Sequence, residues 1–299
     1  MNLRALMYFD ELVRTSSMRA AAENLNVAPT AISRQIENLE EYFGTPLVER
    51  SSRGVTLTAA GELLAERAGK TLRELGHVHQ LIDDLKGLER GRATIYANGA
   101  TVASLLAPAL AQFAQTYPKL RFEVHITSAR QAIDALVSAQ ADIAITLFAP
   151  KTSEVKILAK RELVYDVILP TDHPLAAKPS ISLNELADFP LALPEKTFAT
   201  RQEFDALFEQ AGIPLDPVFT ASSLELLKEL VLDRAAVTVL PALSVAREIK
   251  SGQMVAIPLA ATRGVRANME LCVAPDRDLS FAAATLASFI ETFMGNLPK

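Results

Sequence analysis

At 299 residues the chain is too long for one ordinary small domain and points to two or three, with 49% hydrophobic residues to build real cores. A net charge of −5 argues against nucleic acid as a partner, and residues 1–60 do not escape this, with six arginines against seven carboxylates. Any DNA role therefore rests on where the arginines lie, while the lone Cys272 excludes an intrachain disulfide and fits a reducing compartment.

In chain order, Leu3, Leu6, Phe9 and Val13 are spaced for a first, supporting helix. Ser17 is placed to cap a second helix, Met18 to Leu25, whose Ala20-Ala21-Ala22 run lets another helix cross closely before Asn26 breaks it. Pro29 suits the first turn of a third helix, Pro29 to Phe43, because a missing backbone N–H costs nothing there. Ile32, Ile36, Leu39 and Phe43 make its apolar face, so at about 100° per residue Thr30, Arg34, Glu37 and Glu41 point away from it. The outer face is polarised. Its first turns hold Thr30, Ser33, Arg34 and Gln35, and its last hold Glu37, Glu40 and Glu41, which phosphates would repel. Two helices joined by a tight turn, the second presenting its N-terminus, make a helix-turn-helix. Pro46 to Arg50 and Gly54 to Leu57 follow as a hairpin wing around Ser51-Ser-Arg-Gly54, which bears Arg53.

Thr58 can cap a long helix, Ala59 to Leu88. Leu64, Ala68, Thr71, Leu75, Val78, Ile82 and Leu85 alternate at spacings of four and three, the pattern of a coiled-coil seam. Such a stripe either meets a partner helix or lies on its own domain. Gly69-Lys70-Thr71 imitates the end of a phosphate-binding loop, but the earlier glycine that loop needs is replaced by Leu64. His77 and His79 are two apart, point to different sides of a helix, and make no metal pair. Gly87-Leu-Glu-Arg-Gly91 looks like a hinge.

Beyond it, strands alternate with helices: Arg92 to Ala97, a helix Thr101 to Thr116, Leu120 to Ile126, a helix Ala129 to Ala139, and Asp142 to Leu147. A second series runs Leu163 to Leu169, Leu191 to Leu193, a helix Thr200 to Ala211, Pro217 to Thr220, a helix Ser223 to Leu232, Val237 to Leu240, and Val255 to Leu259. Alternation of this kind predicts βαβ units and mainly parallel sheets, with ligands at the carboxyl ends of strands. No signal peptide precedes Met1-Asn-Leu-Arg4, and no apolar run reaches the ~18–20 residues that span a bilayer. A soluble, cytoplasmic protein with no membrane partner is expected.

Met18-Arg-Ala-Ala-Ala22, Ile32-Ser-Arg-Gln-Ile36, Leu39-Glu40, Gly44-Thr-Pro-Leu47, Glu49-Arg50 and Leu57-Thr-Ala-Ala-Gly61 occur in an order and at a spacing that resemble the LysR-type transcriptional regulators. Phe113-Ala-Gln-Thr-Tyr-Pro118, Ala141-Asp-Ile-Ala-Ile145, His173-Pro-Leu-Ala176 and Val239-Leu-Pro241 extend the resemblance over nearly the whole chain. It implies an α/β protein with an N-terminal winged helix-turn-helix (1–58), a dimerising linker helix (59–88) and a two-lobed effector domain (92–299) of type 2 periplasmic-binding-protein fold. The first lobe would comprise 92–161 and 268–299, the second 162–267. Thr30, Ser33, Arg34 and the wing residue Arg53 carry over as contacts to double-stranded DNA, with Arg19, Pro29, Gln35 and Arg50 on the same candidate surface. One departure is that Ala28-Pro29-Thr30 stands where the family has Ser-Gln-Pro, so the base-reading Gln is absent. The resemblance favours pairing of the linker helix through Leu64, Leu75, Val78, Ile82 and Leu85, giving a homodimer or homotetramer on a partly palindromic operator.

For the effector, Asn98-Gly99-Ala100-Thr101 joins a strand to a helix and offers N–H groups and a hydroxyl at the positive end of a helix dipole, a turn that family effectors contact. Ser128 stands before a second helix, and Thr200 and Arg201 open a third, where a guanidinium could hold a carboxylate; the expected effector is a small anion. Arg234 and Ala236 replace two glycines usual in the family, so Arg234 alters that turn, reaches a ligand, or is solvated. His173 beside Pro174 is structural. No nucleophile elbow, dinucleotide fingerprint or metal-binding His-Glu-x-x-His is present, so no enzyme and no cofactor is expected, and the missing leader argues against a transport protein.

Overall fold

The apolar face anticipated on the third helix is sealed: Ile32, Ile36 and Leu39 are fully buried together with Phe9, Leu12 and Ala21. The computed structural model describes residues 2–51, 54–85, 90–149, 152–260 and 265–297. The chain divides into two units, Met1–Lys86 and Gly87–Lys299.

In the first unit, α1 (Leu3–Thr15), α2 (Met18–Asn24) and α3 (Pro29–Phe43) pack mutually. The Ser17 hydroxyl accepts from the Ala20 N–H and caps α2, and Asn26 turns the chain at φ +53°. Buried Glu11 accepts from Arg14 at 2.9 Å and from the Asn24 amide at 2.7 Å, tying α1 to α2. Glu40, expected on the outer face of α3, instead accepts from the N–H groups of Leu47 and Val48 at 2.8 and 3.2 Å. It satisfies the backbone that enters the wing. That wing is the antiparallel pair β1 (Val48–Ser51) and β2 (Gly54–Leu57), in register from Val48 with Leu57 to Ser51 with Gly54. The long helix α4 (Ala59–Leu85) leaves the wing through Thr58, whose hydroxyl donates to the Pro46 carbonyl and accepts from the Gly61 N–H. Gly61 is required by close approach, since a Cβ there would collide with the Leu47 carbonyl oxygen.

The second unit begins with β3 (Gly91–Ala97). A 3₁₀ turn (Gly99–Thr101) and a π-helical turn (Val102–Leu106) precede α5 (Ala107–Thr116). Next come β4 (Leu120–Ile126), α6 (Ala129–Val137), β5 (Ile143–Leu147) and the fifteen-residue β6 (Lys156–Pro170). Then follow α7 (Leu183–Ala187), β7 (Ala192–Pro194), α8 (Ala199–Gln210), β8 (Phe219–Ala221), α9 (Leu224–Leu232) and β9 (Thr238–Pro241). A 3₁₀ turn (Ala242–Val245), α10 (Ala246–Lys250), β10 (Met254–Pro258), β11 (Arg266–Val273) and α11 (Phe281–Gly295) end the chain.

One lobe is built on the order β4-β3-β5-β11-β6 and the other on β10-β6-β9, which continues to β7 and β8 through the bridge between Leu191 and Val237. The sheets are mixed and not mainly parallel as alternation predicted. β3 pairs parallel with β4 and β5, and β7 with β8, but β6 runs antiparallel to β9, β10 and β11. The cause is the return crossing. β6 carries the chain from one lobe into the other and β11 brings it back, so the two must run opposite ways. For the same reason β6 starts at Lys156, earlier than its apolar run Leu163 to Leu169 suggested: its first half is half solvated and held by pairing with β11. Among the described residues no helix is long and apolar enough to cross a membrane.

Candidate functional site

Two surfaces and one cleft gather the expected residues. On α3, Pro29 at the first position and Thr30 and Arg34 on the first turns are exposed. Ser33 donates to Glu37 at 3.3 Å. Arg19 on α2 is exposed and lies 3.0 Å from Glu23 one turn on, a solvated pair that screening keeps weak. Gln35 departs from expectation. Its Oε1 is buried without a hydrogen-bond partner among the described residues, beside Asn2, Ala5 and Asn38. Three residues after buried Ile32, it falls on the side that faces α1, so the outward face is narrower than the sequence suggested. Arg50 lies in β1, and its side chain, like all of Arg53, lies outside the described residues.

The stripe on α4 splits in two. Leu64 and Ala68 pack against the core of their own unit, with Ala68 3% exposed and Leu64 partly buried. Leu75, Val78, Ile82 and Leu85 are exposed by 46, 46, 47 and 89%. Four large apolar side chains exposed along one stripe mark a surface that gains by being covered.

The cleft lies between the lobes of the second unit and encloses about 1040 Å³. One wall is the turn Asn98, Gly99 and Ala100 with Thr127, Ser128, Arg130 and Gln131; the other is Phe198 and Thr200 with Ser222, Ser223, Glu225 and Lys228. Each segment starts a helix, for physical reasons legible locally. Asn98 accepts from the Ala100 N–H at 3.0 Å, Ser128 and Gln131 form a reciprocal capping box, and Ser223 accepts from the Leu226 N–H at 3.3 Å. The positive ends of α6, α8 and α9 and of the 3₁₀ turn at Gly99 therefore all open on one space.

Two residues expected there turn elsewhere. Thr101 is fully buried and its hydroxyl donates to the Asn98 carbonyl at 2.8 Å, because the 3₁₀ turn rotates it inward. Arg201 is 4% exposed, donates to the Pro194 carbonyl at 3.1 Å and pairs with Asp205 at 2.7 Å. It locks α8 to β7 and does not line the cleft. Arg234 takes a left-handed conformation, φ +60°, and its guanidinium grips Asp172 at 2.7 to 3.2 Å, away from the cleft. That grip holds the Asp172 carboxyl below the usual range. His173 is structural, accepting from the Leu175 N–H at 3.2 Å and meeting the Phe189 ring edge-on.

Sequence reasoning missed Tyr165 and Lys228. Tyr165 sits on the crossing strand β6, its hydroxyl is 3.2 Å from Thr200 Oγ1, and burial pushes its pKa up to about 12, so it stays a neutral donor or acceptor. Lys228 is a 7% exposed residue on α9, hidden in the sequence within an amphipathic run. Across the cleft the Ser244 hydroxyl donates to the Ala100 carbonyl at 3.1 Å, a direct bond between lobes.

Residues 3–62 match the family model described as bacterial regulatory helix-turn-helix protein, lysR family, and residues 86–295 match that of the LysR substrate binding domain. A hydrogen peroxide-inducible genes activator of Pectobacterium carotovorum is 31% identical, over 83% of this chain and 82% of its own. A RuBisCO operon transcriptional regulator of Acidithiobacillus ferrooxidans is 30% identical, over 84% and 81%. The crystal structure of full-length CbnR complexed with its target DNA superposes with a TM-score of 0.72 at 21% identity, over 98% of this chain and 100% of that one.

Proposed function

We propose, because this chain belongs to the LysR family of bacterial transcriptional regulators, that it is a cytoplasmic one-component switch: a homo-oligomer on a partly palindromic operator, governed by a small anionic metabolite held between its lobes. The observation that carries the anionic reading is the convergence of helix N-termini on one cleft. Backbone N–H groups at such ends are donors already pointed at the ligand, which suits a carboxylate, sulfate or phosphate group. The cleft's size suits a metabolite, being near the upper end of the roughly 300–1,000 Å³ usual for small-ligand pockets. Asn98, Gly99, Ala100, Ser128, Thr200 and Tyr165 are the contacts we assign to it; Thr101 and Arg201 hold the walls. Bending at the two crossing strands, β6 and β11, lets the lobes close on the ligand, and occupancy then alters the operator footprint more than the affinity.

Thr30 and Arg34 supply the DNA contacts on our reading, with the N-terminal end of α3 in the major groove. The peroxide response named for the Pectobacterium relative does not carry over to this chain's chemistry. Its only cysteine, Cys272, is buried, and burial pushes its thiol up to about 12, whereas it is the thiolate that attacks peroxide. The test is a fluorescence-anisotropy titration of the full chain with DNA upstream of its own gene, alongside unrelated DNA. Salt-dependent binding with clear preference for the upstream fragment is expected; equal affinity for both would overturn the regulatory reading.

A further inference from the structure

Lys228 faces the cleft with two carboxylates of unlike burial. Its Nζ lies 2.6 Å from Glu248 Oε1 and 3.3 Å from Glu225 Oε2, and the side chains of the three are 9, 15 and 70% exposed respectively. Glu248 comes from α10 and does not line the cleft; Glu225, in the first turn of α9, does. Burial works against the Lys228 ammonium, yet the two carboxylates outweigh it and raise its pKa, so the charge is permanent. Burial likewise opposes the Glu248 carboxylate, and the Lys228 ammonium holds it below its usual range. Behind the lysine, then, stands a fixed counterion. In front of it stands a loosely held one, on a solvated side chain.

A buried cation that opens on a ligand cleft needs a negative partner whether the cleft is empty or filled. We propose that Lys228 anchors the acidic group of the effector on the second lobe, and that Glu225 is an internal stand-in for that group, displaced when the effector binds. The exchange swaps one carboxylate for another acid, so no charge is left unpaired at any stage. Releasing Glu225 costs little, because an exposed ion pair contributes little in water. The ligand arrives where the N-terminal N–H groups of α9 and the Ser223 cap also face the cleft, so its acid is held by an ammonium and by backbone donors together. On the first lobe Arg130, a solvated arginine 3.4 Å from Asp134, stands across the same space and would favour a ligand acidic at both ends.

This rests on the anionic reading above, and the experiment separates the two. Thermal unfolding of the full chain is followed against succinate, citrate and sulfate, with succinamide and sodium chloride as controls. The wild type is expected to be stabilised by the acids alone. Glu225→Gln, which removes the competitor, should bind them about threefold more tightly, a gain that a merely structural ion pair would not give. Lys228→Met, made with Glu248→Gln so that no buried charge is orphaned, should lose the effect. Unchanged acid affinity in Glu225→Gln, or retained affinity in the double variant, overturns the anchor. Gly99→Trp fills the cleft from the other wall: if it alone abolishes stabilisation, the anionic cleft stands and the anchor falls. If no acid stabilises the wild type, both fall.

Discussion

On α3, Thr30 and Arg34 stand exposed at one end of a helix whose far side is sealed in a core; around the cleft, Thr101, Arg201 and Lys228 are buried and already bonded to protein. On the proposed reading the two regions serve partners of different kinds. A duplex is large and brings its own dense charge, so a few free side chains on a solvated face suffice and need no enclosure. A small ligand must be wrapped, and buried polar groups that wait for it have to be satisfied meanwhile. Side chains of the reading face should therefore be removable with function lost and stability kept. Side chains of the cleft wall should cost stability first.

The largest effect is expected where an exposed surface becomes core only on assembly. Leu75→Glu places an unpaired charge in the apolar stripe of α4, at a cost of several kcal/mol to a paired helix, about 3 or more. Sedimentation should show the oligomer dissociated and the fold intact; an undisturbed oligomer would move the seam elsewhere. Next is Arg201→Ala, which strips Asp205 of its partner and the Pro194 carbonyl of its donor and should destabilise by about 2–3 kcal/mol. Thermal unfolding of the variant at the wild-type midpoint would refute its wall role. Arg34→Ala should weaken operator binding by about 1–3 kcal/mol with an unchanged unfolding midpoint. Loss of preference at one base marks a guanine contact, uniform loss marks phosphate, and unchanged affinity sinks the assignment. The smallest is Thr101→Val, where losing one buried hydroxyl that bonds Asn98 should cost about 1 kcal/mol of stability while acid binding in the cleft persists. A tenfold loss of ligand affinity with normal stability would return Thr101 to the site.

What the sequence showed and what it hid follow the same division. The bounds of α3 were legible to the residue, since Pro29, the apolar spacing and Gly44 in a left-handed cap all act within one segment. The apolar stripe of α4 was legible too, but not that Leu64 and Ala68 at its start pack against the core of their own unit, because a heptad pattern does not say which body covers it. β11 and α11 went unread. The helix is apolar nearly all round, with Ala282, Ala283, Leu286, Ala287, Ile290 and Met294 buried, so it shows little periodicity to find. Turns that do line the cleft were named from resemblance and helix starts, yet the roles of Thr101 and Arg201 depend on which way one side chain rotates. Lys228 and Glu248 are brought together from different helices, and no spacing rule reports that.

The close seating of α4 on the wing has a mechanical meaning. Thr58 bonds back to Pro46 and Leu47, and Gly61 leaves no room for a side chain over the Leu47 carbonyl. The base of the long helix is therefore clamped to the hairpin. A torque applied along α4 would meet the wing at this joint, so a designer wishing to uncouple helix from hairpin would cut here.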